Sequence, residues 1–302
     1  MSTRATHAAG QDNVLAGISM MLTGIFLFAL NDALGKWLVA TYAVGQLLLL
    51  RGAAGMVCLL PFFRGGAWRQ FRDAPRWGIQ LLRPLFATAE VACFYWALAS
   101  MPLADVMTFY LAGPICVTAL SPLLLGERVG WRRWLAVIVG FGGVMIALGP
   151  TAGSLSLPAL VAIVGTVLFS LLMICTRVVR GTSDLVLVTT QTGGSLLFGL
   201  IVAPFVWVPL NARDTLLLIL LGVTGMVAHV CINRALRFAQ ASVVVPYQYT
   251  TILWAILFGY IFFGDIPRVA MLIGAAVIIA AGIYIFLRER KVAKALAVIE
   301  PP

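Results

Sequence analysis

Charge is scarce in this sequence. Asp, Glu, Lys and Arg make up only 11% of its 302 residues, against about 25% in an ordinary soluble domain. That surface does not describe a water-soluble fold. Histidine is nearly absent, with His229 the only one inside an apolar run. No HExxH or Gly-x-Ser-x-Gly pattern accompanies it, so an intramembrane enzyme has no recognisable catalytic set. The cysteines (Cys58, Cys93, Cys116, Cys175 and Cys231) are odd in number and show no CxxC or Cys/His spacing. They suggest neither a disulfide framework nor a metal centre, and read as small, polarisable packing residues. A GxxxxGK[ST] phosphate loop is missing too, so ATP hydrolysis is unsupported and no cofactor is expected. Ten-residue alternating strands, the mark of an outer-membrane barrel, do not occur.

Apolar length is what the chain has in quantity. Hydrophobic residues make up 62% of it, the mean hydropathy is +1.02, and a helix needs roughly 20 apolar residues to cross the hydrocarbon core. Ten candidate spans follow: Val14–Val39, Val44–Phe63, Trp77–Ser100, Ala104–Leu125, Trp131–Leu148, Leu157–Val179, Leu185–Val208, Thr215–Leu236, Ser242–Phe263 and Val269–Leu287. The fold class expected is an all-α integral membrane protein with short connections, so sequential helices are antiparallel. Residues 1–13 form a polar tail, and the run after them is too long for a cleaved signal. Residues 150–156 are a linker and residues 288–302 a basic tail.

Lys and Arg at the span ends set the orientation. With the amino terminus in the cytoplasm, sixteen fall inside, among them Arg64, Arg69, Arg72 and Arg76, and three fall outside, Lys36, Arg213 and Arg268. Both termini are therefore expected in the cytoplasm of a bacterial inner membrane. The net charge of +10 is an orientation signal and a contact with lipid headgroups, not a nucleic-acid footprint.

The second half echoes the first at an offset of about 138 residues. Ala97-Leu98 answers to Ala235-Leu236, Phe109 to Tyr247, and Gly126-Glu127 to Gly264-Asp265. Five helices per half is an odd number, so equivalent loops emerge on opposite faces, and their charge reverses accordingly. Two inverted-topology repeats are expected, residues 14–149 and 157–287, arranged as transporters use them around a midplane site.

Here the residues resemble a known family. Arg83 opens the third helix, Ala97-Leu98 leads into the Ala104-Asp105 turn, and Pro114 lies in the fourth helix. Pro122-Leu123-Leu124-Leu125-Gly126-Glu127-Arg128 then precedes a glycine-rich fifth helix through Gly140, Gly142 and Gly143. Over nearly the whole chain this is similar to the EamA-type family of the drug/metabolite transporter superfamily. The second half departs from the pattern with Asp265, Ile266 and Leu221 where the first has Glu127, Arg128 and Arg83. The resemblance implies a small-metabolite carrier with paired repeats around a central cavity, and the aromatic-rich spans resemble exporters of neutral or aromatic amino acids.

An ionisable group inside a bilayer costs about 3 kcal/mol or more, so each asks for a partner or a use. Asp32 and Arg51 lie about seven residues from the ends of spans one and two, about 10 Å deep at the helical rise, and are expected to face each other. They form either a structural pair or a substrate-carboxylate and proton site, with Asn31 beside them. Glu90, nearer the midplane of span three, shares a face with Phe94, as His229 does with Asn233. Small polar groups beside an aromatic suit an amino acid, while His229 equally suits hydrogen-bonded packing. Arg83 is expected to snorkel to the cytoplasmic face. Pro114, Pro122 and Pro246 free the carbonyls of Tyr110, Thr118 and Ser242, either as hinges and gates or as amine ligands. Tyr110, Tyr249 and Trp254 are candidate cavity walls. Rows of small residues (Ala136, Gly140, Gly143, Ala147; Ala276, Ala280) serve scaffold packing or a dimer contact, and leave the oligomeric state open.

The reading is a secondary transporter whose partners are a small molecule and the bilayer, working either by facilitated diffusion or by proton exchange through Asp32 and Glu90. It exports neutral or aromatic amino acids by alternating access; multidrug efflux is the alternative within transport, and a channel or receptor the alternative outside it.

Overall fold

A computed structural model describes residues 2–63, 66–126, 129–149, 156–179, 181–238 and 244–299, and leaves the side chains of residues 2–13, 233, 236, 237, 245, 246 and 289–299 outside that description. The Glu127-Arg128 corner, Ser242 and most of the linker therefore lie outside the described residues.

Every regular element among the described residues is helical. Among the described residues nine helices are long and apolar enough to cross a membrane: α1 (Val14–Val39), α2 (Val44–Phe63), α3 (Trp77–Leu98), α4 (Leu103–Leu125), α5 (Trp131–Leu148), α6 (Leu157–Val178), α7 (Asp184–Phe205), α8 (Ala212–Ile232) and α10 (Val269–Arg288). The tenth, α9 (Tyr247–Phe263), is apolar but shorter. A short helix, Ala67–Arg72, lies between α2 and α3. The expected polar tails are helical at both ends, because α1 extends back to Ser2 and α10 on to Ile299.

Proline explains the interruption of α4. It consists of two helices, Leu103–Tyr110 and Gly113–Leu125, because Pro114 offers no N–H to the Tyr110 carbonyl. Pro114 instead sits in the first turn of the second piece, where the missing donor costs nothing. The counterpart α9 likewise begins in a tighter 3-10 turn, Val245–Thr250, before the helix Thr251–Phe263. Both α4 and α9 end on a left-handed glycine, Gly126 at φ 66° and Gly264 at φ 68°, a cap that any Cβ would strain.

The glycines also give the direction of each helix. Gly45 of α2 packs on Val202 of α7, Gly52 on Leu196, and Gly55 on Thr192, so one helix ascends while the other descends. Gly143 of α5 packs on Ile278 of α10, and Gly274 on Ala147, again antiparallel. Each pair consists of repeat equivalents, so the two halves thread in opposite senses: the repeat is inverted.

The halves interlock rather than sit side by side. Contacts α1–α8 and α3–α6 mirror each other, as do α2–α8 with α3–α7 and α1–α9 with α4–α6. Cys93 of α3 lies against Gly165 of α6, and Cys231 of α8 against Gly24 of α1, so two cysteines perform one packing task in two places. Lipid is as apolar as leucine, so helices in it associate through such close approaches. Ala136, Gly140, Gly143 and Ala147 are all buried within the chain, so the fold itself uses that row. Ala276 and Ala280 face outward instead, and Ala275, Ile278 and Ala281 form the buried row of α10.

Candidate functional site

The polar groups of α1, α2, α3 and α8 meet where the halves cross. Asn31, 1% exposed, donates from Nδ2 to the Leu221 carbonyl and, at 2.9 Å, to the Thr224 hydroxyl. The Tyr95 hydroxyl donates to Asn31 Oδ1 at 3.4 Å and accepts from Arg51 Nη1 at 2.9 Å. One chain of hydrogen bonds thus joins four helices. It needs a glycine at position 35, where a Cβ would overlap the Tyr95 ring.

Asp32 and Glu90 stand beside this chain. The Arg51 charge acts on both acids, and Asp32 acts on Glu90. The ion pair expected between Asp32 and Arg51 is not among those formed by the described residues. The reason is helical phase: α1 packs on α8, Asn31 takes the slot facing it, and the next residue turns about 100° away. Tyr95 then supplies the bond to the guanidinium that Asp32 was expected to make. Asp32, Glu90 and His229 are surrounded by protein yet keep part of their surface open. That combination fits groups lining an internal space.

Aromatic rings border the cluster on both sides. Phe94 stands edge-on to Tyr95 and to Tyr110, with centroids at 5.4 and 5.2 Å. The Tyr110 hydroxyl donates to the Glu90 backbone carbonyl at 3.2 Å. Phe28 meets the His229 ring at 4.7 Å, while His229 Nδ1 is satisfied by the Gly225 carbonyl one turn back. Trp254 stands edge-on to Phe26 at 4.9 Å.

Other expected residues are placed elsewhere. The Tyr249 hydroxyl lodges against Gly282 of α10, so Tyr249 braces the scaffold. The Asn233 and Pro246 side chains lie outside the described residues. The carbonyl of Thr118, freed by Pro122, accepts from the Ser121 hydroxyl at 3.1 Å, so it is not left for a substrate amine. Arg83 does not snorkel. It is 6% exposed and donates to Thr176 at 2.8 Å, the Leu187 carbonyl at 2.8 Å and Gln191 at 3.1 Å. Three acceptors on α6 and α7 hold it more closely than the distant face. A separate crevice between α4, α5 and α6, lined by Phe109, Cys116, Phe141 and Val167 among others, offers no charged group.

Tyr95 and Thr224 were not apparent from the sequence as site residues. An aromatic or a threonine in an apolar helix is ordinarily packing or self-bonded, and Thr224 does also donate to the Leu220 carbonyl at 2.8 Å. The usable signal was Tyr95 lying next to Phe94, which is one turn of helix from Glu90. Among the described residues no group of three or more His, Cys, Asp or Glu is placed to hold a metal.

Comparison with known proteins identifies the family. The pattern of the EamA-like transporter family matches residues 15–149 and again residues 156–288. A riboflavin transporter of Vibrio cholerae is 29% identical over 283 residues, covering 92% of this chain and 95% of that protein. A pseudopaline exporter of Pseudomonas aeruginosa is 25% identical over 275 residues, covering 89% and 95%. An S-adenosylmethionine uptake transporter of Rickettsia prowazekii is 24% identical over 281 residues, covering 92% and 94%. All are transporters, and none is an enzyme.

Proposed function

Because this chain belongs to the EamA-like transporter family and is a multi-pass carrier of small metabolites, we propose that it moves a polar metabolite bearing a planar ring, by alternating access around the Asn31–Arg51–Tyr95 cluster. The observation that carries this is the juxtaposition of fixed polar donors and acceptors with aromatic edges from both halves. Rings supply apolar contact area, and a few placed polar groups supply orientation.

A flavin of the riboflavin kind is the first candidate. Its fused ring suits the aromatic edges of Phe94 and Tyr110, its carbonyls suit Arg51, and a relative carries that name. An aromatic amino acid is the second candidate, favoured by opposite charges at close quarters: Arg51 would take the carboxylate and Glu90 or Asp32 the ammonium. The names of the relatives include both an exporter and an uptake transporter, so direction follows from the gradients rather than from the fold.

Proteoliposomes containing the purified protein test this with radiolabelled riboflavin, tryptophan and leucine, each with and without a pH gradient. Saturable riboflavin uptake that tryptophan does not inhibit supports the first candidate. Saturable tryptophan counterflow without riboflavin transport replaces it with the second. Absence of saturable flux for all three overturns the ring-bearing class. An Asp32→Asn protein whose transport keeps its parent pH dependence removes Asp32 as a proton site.

A further inference from the structure

The five residues between α9 and α10, Gly264-Asp265-Ile266-Pro267-Arg268, carry one charge of each sign. Both charges reach across to the first half. Asp265 Oδ2 accepts from Lys36 Nζ of α1 at 2.6 Å. Arg268 Nη2 donates to Asp105 Oδ2 at the start of α4 at 2.9 Å, and to the Ala147 carbonyl at the end of α5 at 3.4 Å. The loop is held stiffly at its start: Gly264 takes the left-handed conformation, and the Asp265 N–H bonds back to the Gly259 carbonyl at 3.0 Å.

Position gives these contacts a purpose. Lys36 lies four residues beyond Asp32, on the same face of α1 and one turn nearer the membrane surface. Its ammonium also sits 4.5 Å from the centre of the Phe263 ring. The pair therefore sits one helical turn beyond Asp32, on the membrane-surface side of the polar cluster. Its side chains are 13% and 23% exposed, sheltered enough to hold more strongly than surface pairs and open enough to be rehydrated when broken. The second ion pair is asymmetric. At the repeat offset Asp105 corresponds to Val243 and Arg268 to Gly130, so the equivalent positions of the other half carry no such charges.

We propose that the loop 264–268 is a clasp that keeps this face of the transporter shut at rest, and that both of its ion pairs break each time the face opens. This deepens the alternating-access reading but needs no substrate to test.

The test places a reporter cysteine at Asp32 in a protein whose native cysteines are replaced by serine. A membrane-impermeant maleimide is then applied from the side of Lys36. With the clasp intact, labelling is slow. In the Asp265→Asn/Arg268→Gln protein it accelerates about five- to tenfold, the change in population that about 1 to 1.4 kcal/mol produces. Exchanging Lys36→Asp with Asp265→Lys restores slow labelling. Raising salt to about 1 M, where the Debye length is about 3 Å, accelerates labelling of the unaltered clasp and needs no further substitution, so the proposal stays testable even if a variant misfolds. Labelling rates within twofold of one another across the clasp variants and salt concentrations overturn it. Such a result leaves the substrate reading untouched, because proteoliposome transport reports on that separately.

Discussion

Arg51 is a half-buried cation among hydrophobic helices, and the Tyr95 hydroxyl holds it. Removing that hydroxyl while keeping the ring isolates its contribution. In Tyr95→Phe, Arg51 Nη1 and Asn31 Oδ1 each lose a partner, and an unsatisfied bond to a charged group costs about 1.5–3 kcal/mol. Thermal unfolding in detergent is expected to show that loss, with substrate affinity falling about tenfold. An unchanged unfolding temperature and affinity would mean that Arg51 is held by something else. Arg83 makes the complementary case. Arg83→Lys keeps the charge but cannot reach Thr176, Leu187 and Gln191 together, because an ammonium is a point donor rather than a planar fork. A stability loss of about 1–3 kcal/mol is expected, measured the same way. Polar residues in apolar runs, such as Asn31, Asp32, Arg51 and Glu90, are visible in the sequence because lipid makes them costly. Tyr95 is not, because a tyrosine in a membrane helix costs nothing until its hydroxyl is buried.

Among the helices, glycine decides which neighbours can meet. A Cβ at Gly199 would fall on the backbone of Leu49, and backbone cannot step aside as a side chain does. Gly199→Ala is expected to force α2 and α7 apart and to destabilise by about 1–3 kcal/mol, the usual cost of overpacking. Gly142 has nothing within 4 Å of its Cβ position. Gly142→Ala is expected to leave stability unchanged or raise it by up to about 1 kcal/mol, through helix propensity. Equal effects at the two sites, followed by fluorescence-detected gel filtration after heating, would remove the argument. The positions of the ten apolar segments follow from the sequence to within a few residues, because length and hydropathy are local properties. The break in α4 was also foreseeable from Pro114, whereas the use of Ser121 to satisfy the Thr118 carbonyl depended on a rotamer.

For the whole molecule, the inverted halves are a property of the fold, while their orientation in the membrane is a separate expectation. The excess of arginine on the face that carries Arg69 argues that this face is cytoplasmic. Single cysteines in place of Arg69 and Arg213 are expected to label from opposite sides of the membrane, Arg69→Cys from the cytoplasm. Labelling of both from one side would contradict the inverted threading itself; labelling from opposite sides with Arg69 outside would reverse only the orientation.

The chain by itself determined that it is helical, that it crosses a bilayer about ten times, and that its halves repeat with reversed charge. A bilayer enforces those properties segment by segment, since every backbone group must be satisfied locally. Only the tertiary structure decided the partners: Tyr95 rather than Asp32 for Arg51, α6 and α7 rather than the surface for Arg83, and Lys36 for Asp265. Partner choice depends on where helices cross and at what phase. Residues 190 or 229 positions apart, as with Asn31–Leu221 and Lys36–Asp265, carry no local pattern that records it.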